Sequence, residues 1–155
     1  MTARSVTHAT FTIERSYDAS PARVFKSFAD PKAKAQWFAG PADKWKEISR
    51  ELDFRVGGRE RVSGGWPGGM VSHFDCHYLD IVPNERIIYS YDMHLDDRRI
   101  SISLATVEIK PASAGTRLIF TEQAIMLDGY SDPDARERER GTRELLDQLG
   151  ESLRG

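Results

Sequence analysis

Cysteine is almost missing: Cys76 stands alone in 155 residues. A lone thiol rules out an internal disulfide and leaves no cysteine pair for a zinc site or a dithiol redox centre, so a cytoplasmic location is expected. Charge of one sign is missing too. Against 24 Asp and Glu there are 22 Lys and Arg, a net charge of -2, so no global positive field exists to hold a phosphate backbone. Nucleic acid is not an expected partner. No stretch approaches the ~18 apolar residues of a membrane span, and the opening MTARSVTHATF lacks the apolar core of a signal peptide. A membrane span is not expected. Repeats, linkers and low-complexity tracts are also absent, and a chain of this length suits one domain over residues 1–155 that buries roughly 70% of its unfolded surface.

What is present is strand and turn. ATFTIERSY (9–17) alternates Phe11, Ile13, Arg15 and Tyr17 against Thr10, Thr12, Glu14 and Ser16, the period of a half-buried strand. The period then changes. Ser20 can cap a helix, Pro21 suits its first position, and Val24, Phe25 and Phe28 share a face; Pro31 opens a second helical turn carrying Trp37 and Phe38. From 46 to 124, six strand-like segments alternate with GG, GGWPGG, VPNE, HLDD and KPASAG, the pattern of antiparallel hairpins. The tail from Ser131 reads as one long helix, with Asp132 as cap, Pro133 in its first turn, and Leu145, Leu146, Leu149 and Leu153 on one stripe. Its RERER run (136–140) reads as the solvated side. An antiparallel sheet needs its apolar face covered, and only this helix carries a long enough leucine stripe. An α+β fold follows, with a sheet wrapped around the last helix.

HFDCH (73–77) places His73, Asp75 and His77 on one side of an extended segment, as strand-borne metal ligands would be. The rise of roughly 3.3 Å per residue sets the outer two about 13 Å apart, too far for one ion on a straight strand. A hairpin through VPNE with a two- or four-residue loop pairs Phe74 with Met93, Cys76 with Tyr91 and Tyr78 with Tyr89 on one face. On the other it pairs His73 with His94, Asp75 with Asp92 and His77 with Ser90. One face is aromatic and the other wet, so the histidines are expected to face solvent and no metal site is assigned. His73 with Asp75 or His94 leaves room only for a weak metal pair. The HLDD hairpin is expected to add Ile100, Ile102 and Leu104 to the aromatic face and to leave Ser101 and Ser103 outside, with a change of phase between Leu104 and Val107.

The expected inner face supplies a candidate ligand-binding set. Phe74, Cys76, Tyr78, Tyr89, Tyr91 and Met93 come from the middle hairpin, Phe120 and Glu122 from the last strand. Trp37, Phe38 and Trp66 come from the helices and the glycine-rich loop, with Trp45 nearby. Aromatic side chains with polar tips suit a flat or greasy molecule, although the same residues can simply fill a core. Glu122 keeps phase with Leu118 and Phe120 and is the one candidate for acid–base work, because buried carboxyl groups hold protons that solvated ones lose. Cys76 has no activating partner on its face and reads as an inert core thiol. Arg59 and Arg61 share a strand face that can hold a carboxylate or simply be solvated. GGWPGG lacks the strand-to-helix setting of a phosphate cradle, and no cofactor motif appears. Gly141 either lets the helix backbone approach a ligand or strand, or weakens the helix by about 1 kcal/mol against Ala.

Four segments in order, YDASPARVFKSFADPKAKAQWF (17–38), LDFRVGGRE (52–60), YLDIVPNERIIYSY (78–91) and GTRLIFTE (115–122), carry a family resemblance. The chain resembles bacterial proteins similar to the C-terminal domain of the heat-shock-protein-90 ATPase activator. These belong to the SRPBCC superfamily, together with START lipid-transfer domains, the birch-pollen allergen and polyketide cyclases. The resemblance implies a helix-grip fold, a curved seven-stranded antiparallel sheet around a long C-terminal helix, two short helices after strand one, and a cavity between sheet and helix. The fold hosts carriers, cyclases and co-chaperones alike, so the leading expectation, a carrier or sensor of a small hydrophobic or aromatic ligand, rests on the aromatic inner face. Alternatives within the superfamily are a polyketide-cyclase-like or hydrolase-like enzyme and a chaperone-interacting module. This chain departs from the family at Thr142, where Gly-Trp is frequent in the last helix, and at Glu122, near which a histidine is common. It also has no room for the activator's additional N-terminal domain, so chaperone activation is not expected, while a homodimer remains compatible.

Overall fold

A computed structural model describes residues 3–154; Met1, Thr2 and Gly155, the ends of the expected domain, lie outside the described residues. The elements are β1 (Val6–Tyr17), α1 (Pro21–Ala29), α2 (Pro31–Ala35), β2 (Lys46–Leu52), β3 (Arg59–Gly65), β4 (Val71–Val82), β5 (Arg86–Leu95), β6 (Arg98–Ala112), β7 (Gly115–Leu127) and α3 (Asp132–Ser152). All strands join one antiparallel sheet in the order β1-β7-β6-β5-β4-β3-β2. This is the α+β helix-grip architecture. The first strand crosses to the far edge beside β7, which leaves β1 and β2 as edges and sets β4, β5 and β6 in the middle.

Local chemistry explains the helices. The Ser20 hydroxyl accepts from the Arg23 N–H at 3.2 Å, and Asp30 ends α1 while its carboxylate accepts from the Ala33 N–H at 2.9 Å to start α2. The cap of α3 is Ser131, one residue before the expected Asp132. Its N–H donates to the Asp134 carboxylate at 2.8 Å, so a carboxylate three residues into the helix ties the entry down. The stripe of α3 then sinks into the sheet: Leu146, Leu149 and Leu153 are buried among Ile13, Val107, Leu118 and Phe120, with Leu145 partly buried beside them. The Tyr17 hydroxyl donates to the Leu146 carbonyl at 2.7 Å, pinning β1 to the same turn of helix.

Register decides which side chains face α3. Between β4 and β5 the pairs are those the sequence suggests, Phe74 with Met93, Cys76 with Tyr91, Tyr78 with Tyr89, and His73 with His94 on the other face. The loop, however, has three residues, 83–85, with Asn84 at φ 65°. Its odd length is compensated by a bulge at Leu79, so beyond the bulge the faces fall where an even loop would have put them.

The β5–β6 hairpin corrects the sequence reading. It begins in the expected register, Leu95 with Arg98 and His94 with Arg99, then slips so that Met93 faces Ser101 and Tyr91 faces Ser103. Ile100 is the extra residue. The phase change expected between Leu104 and Val107 therefore sits at Ile100, and residues 101–104 are turned over relative to that expectation while Val107 faces inward as expected. Ile102 and Leu104 lie on the outer face, 36% and 37% exposed, whereas Ser101 and Ser103 are buried inside. Bulges increase local twist, which suits a sheet that must curl around a helix.

Candidate functional site

Between the sheet and α3 lies a cavity of about 660 Å³. Its aromatic wall runs across the sheet from the turn after α2, which ends at Ala35 and leaves Trp37 and Phe38 beyond the helical turn expected to carry them. Trp37 packs on Phe38, Phe38 on Phe74 and Phe74 on Tyr91, with centroid separations of 5.7, 4.9 and 4.9 Å. The Trp37 indole N–H donates to the Ser27 carbonyl at 2.9 Å, which satisfies its polar edge and turns its apolar body to the interior. Tyr89, Met93, Ile100, Phe120 and Met126 complete the sheet side, and Trp45, Trp66 and Met70 stand at the loops. Trp66 and Met70 are 47% and 53% exposed.

Of the candidate residues, Trp37, Phe38, Trp66, Phe74, Tyr89, Tyr91, Met93, Phe120 and Glu122 line this space. Cys76 and Tyr78 do not. Both point inward, as alternation requires, but they sit deeper in the core; burial raises the Cys76 thiol to about 12, so no ready thiolate exists there. The Tyr78 hydroxyl donates to Glu60 at 2.7 Å instead of facing the cavity.

The polar end of the cavity is built around Glu122, which is 1% exposed. Its Oε2 accepts from the Tyr91 hydroxyl at 2.6 Å and the Ser103 hydroxyl at 2.8 Å, and faces the Arg138 guanidinium at 3.5 Å. Arg138 also donates to the Tyr91 oxygen at 3.1 Å and the Ser101 hydroxyl at 2.7 Å, and its guanidinium lies 5.6 Å from the Tyr91 ring centre. Oε1 of Glu122 is buried without a hydrogen-bond partner. Burial raises the Tyr91 phenol above the usual tyrosine range, although Arg138 pulls the other way. The arginine is itself held charged: burial lowers its proton affinity, but Tyr91 and Glu122 more than offset this.

Arg138, Ser101 and Ser103 escape the sequence reading for two reasons. The serines are hidden by the Ile100 bulge. Arg138 belongs to the run expected to be solvated, yet it stands seven residues before Leu145 and eleven before Leu149, on the inward stripe. That spacing was the available signal. The rest of the run behaves as a wet face, with Arg140 paired to Glu137 and Arg143 to Glu139.

The wet side of β4 carries a second recess of about 560 Å³, lined by Arg61, Ser63, His73, Asp75 and His94 among others. His73 Nδ1 lies 2.7 Å from the Ser63 hydroxyl, His77 is exposed, and Arg59 pairs with Asp75 at 2.7 Å. Among the described residues no group of three or more His, Cys, Asp or Glu is placed to hold a metal ion, and no helix is long and apolar enough to cross a membrane.

A family model, activator of Hsp90 ATPase homolog 1-like protein, matches residues 18–154. The chain belongs to this family. A solved but uncharacterised protein from Rhizobium leguminosarum is 47% identical over 99% of both chains, with a TM-score of 0.92. A second, from Rhizobium loti, is 43% identical over 96% of this chain and 99% of that one, with a TM-score of 0.87. A third, from Chromobacterium violaceum, is 29% identical over 91% and 94%, with a TM-score of 0.72. No curated protein matches. The helix wall is open at Gly141: a Cβ built there meets nothing within 4 Å, and the Thr142 hydroxyl donates back to the Arg138 carbonyl at 3.0 Å.

Proposed function

We propose that the protein binds a small hydrophobic molecule, aromatic or lipid-like, between the sheet and α3, and works as a carrier or sensor. The carrying observation is the cavity of about 660 Å³ with one aromatic wall and one buried polar end. Burial of apolar ligand surface at roughly 25 cal/mol per Å² supplies the drive, and the Tyr91, Glu122 and Arg138 cluster supplies orientation. Native mass spectrometry of freshly purified protein is the first test, since a retained mass names a ligand class. Titration with the neutral fluorophore N-phenyl-1-naphthylamine is the second. The probe binds the wild type and is lost in Tyr91→Ala, whose fold is checked by circular dichroism; unchanged affinity in that variant counts against the pocket.

Two other readings use the same frame. A cyclase-like or hydrolase-like enzyme would draw on Glu122 and Tyr91, and turnover of a bound ligand would separate it from a carrier. The family's name motivates a chaperone-partner reading, for which Trp66 and Met70 offer exposed apolar surface. Stimulation of a purified Hsp90-type ATPase, lost in Trp66→Ala, would favour that reading over the cavity.

A further inference from the structure

We propose that this cavity selects an apolar molecule with a neutral carbonyl head over the carboxylate of the same body, and that Arg138 and Tyr89 read that head; this deepens the ligand-binding reading and rests on it. The polar end has its acceptors occupied and some of its donors unused. Oε2 of Glu122 takes the Tyr91 and Ser103 hydroxyls, and Oε1 is buried out of a ligand's reach. Asp134 caps its own helix, Glu137 pairs with Arg140 and Glu144 is exposed, so none of them is a free inward acceptor. Arg138, which lines the cavity, is the opposite case. Its Nη1 donates to Tyr91 and Glu122 and its Nη2 gives one proton to Ser101, which leaves the Nε–H and the other Nη2 proton without an acceptor among the described residues.

Tyr89 is the second, independent observation. It is 7% exposed, lines the same cavity, and its hydroxyl has no hydrogen-bond partner among the described residues. It stands one inward position along β5 from Tyr91, with ring centres 6.0 Å apart, and Arg138 reaches the Tyr91 oxygen, so both sets of spare donors belong to one end of the cavity. Burial pushes the Tyr89 phenol well above the usual tyrosine range, so its O–H keeps the proton it has to offer. A buried donor left unpaired is costly, and a ligand oxygen that accepts from it relieves that cost. A carbonyl is such an acceptor and carries no charge to desolvate. A carboxylate would give up its hydration for a guanidinium whose charge Glu122 already offsets at 3.5 Å, and would stand beside that like charge. An ammonium would bring donors to an end that already has them. The open space before Gly141 gives the ligand body room along α3 between Arg138 and Leu145.

The test is isothermal titration at pH 7, the full chain injected into each of three ligands of one body: 2-acetonaphthone, 2-naphthoate and 2-ethylnaphthalene. The ketone is expected to bind at least about tenfold more tightly than the naphthoate. Arg138→Met weakens the ketone by about tenfold and Tyr89→Phe by about threefold, while 2-ethylnaphthalene, which has no acceptor, binds both variants as it binds the wild type. Tyr89→Phe removes a hydroxyl that holds nothing else in the fold, which keeps the test open if Arg138→Met folds poorly. The infrared stretch of carbonyl-labelled 2-acetonaphthone reads the contact directly, because an oxygen that accepts hydrogen bonds absorbs at lower frequency than the same ketone in hexane. Naphthoate binding as tightly as ketone, or an unshifted stretch with equal ketone affinity in Tyr89→Phe, overturns the selectivity; N-phenyl-1-naphthylamine still bound then leaves the pocket standing. Failure of the fluorophore and all three naphthyl compounds overturns both.

Discussion

Two glutamates are buried in this molecule in nearly the same way, but in different company. Glu60 and Glu122 are each 1% exposed, each accepts from a tyrosine hydroxyl, Tyr78 at 2.7 Å and Tyr91 at 2.6 Å, and each has one oxygen without a partner. They differ in the cation. Lys34 closes on Glu60 at 2.9 Å, is itself 4% exposed, and is roofed by Phe38 at 4.5 Å from its ring centre. Arg138 stands 3.5 Å from Glu122, keeps 15% of its side chain exposed and lines the cavity. A closed ion pair locks α2 to β3, whereas an open one leaves charge and hydrogen-bonding capacity for something else to meet. Depth of burial alone does not separate the two carboxylates; exposure of the cation does.

Removing one cation from each cluster is the most direct way to break this comparison. Lys34→Met strands a carboxylate with only a tyrosine hydroxyl, and breaking a buried pair from one side costs about 3–5 kcal/mol. Urea denaturation should show that loss, with probe affinity of the folded fraction little changed. Arg138→Gln leaves Glu122 two hydroxyl donors and a partly wet neighbourhood, so a smaller loss of about 1.5–3 kcal/mol is expected. Ligand discrimination should change more than stability in that variant, because the cavity loses the cation at its polar end. Equal stability losses in the two variants would erase the distinction.

Alkaline titration sharpens the comparison from the side of the phenols. Burial raises Tyr78 and Tyr91 above the usual tyrosine range, and Glu60 and Glu122 add to it, while Cys76 rises to about 12. A group whose folded pKa is raised contributes stability that is whole below its unfolded pKa and is lost as pH climbs toward the folded value. Stability should therefore hold to about pH 8.5, decline first through Cys76, and fall faster above about pH 10, by about 1.4 kcal/mol per pH unit for each tyrosine involved. Denaturation midpoints from pH 8 to 11 check this. Tyr78→Phe and Tyr91→Phe should each flatten the upper slope by one such share.

The closed half of the molecule and the open half were unequally legible in the sequence. Alternation and turn residues place the seven strands, the Ser20 cap and the leucine stripe, because these signals are local. The faces of β4 and β5 were right although the loop length was not, since the bulge at Leu79 cancels the odd turn. At Ile100 nothing cancels. A single extra residue turned Ser101 and Ser103 inward; the alternation called for a change of phase before Val107 but did not say where it sits. Lys34 and Glu60 were invisible for another reason: a charged residue in a short helix and one in a strand look solvated until the fold brings them together.

Gly141 offers the smallest stability effect and the cleanest separation of the two clusters. Within α3 a glycine weakens the helix against a good helix former by about 0.8–1.0 kcal/mol, and here no neighbouring side chain or backbone lies close enough to demand it. Gly141→Leu should therefore raise the urea midpoint slightly, by at most about 1 kcal/mol, since the new side chain grows into open space. That same space is the proposed ligand's. The variant should stop binding N-phenyl-1-naphthylamine while Lys34, Glu60 and Tyr78 remain as they are, and stabilisation with undiminished probe affinity would mean that the molecule binds elsewhere. A substitution that firms the fold and abolishes binding is the outcome that a packed, purely structural interior does not produce.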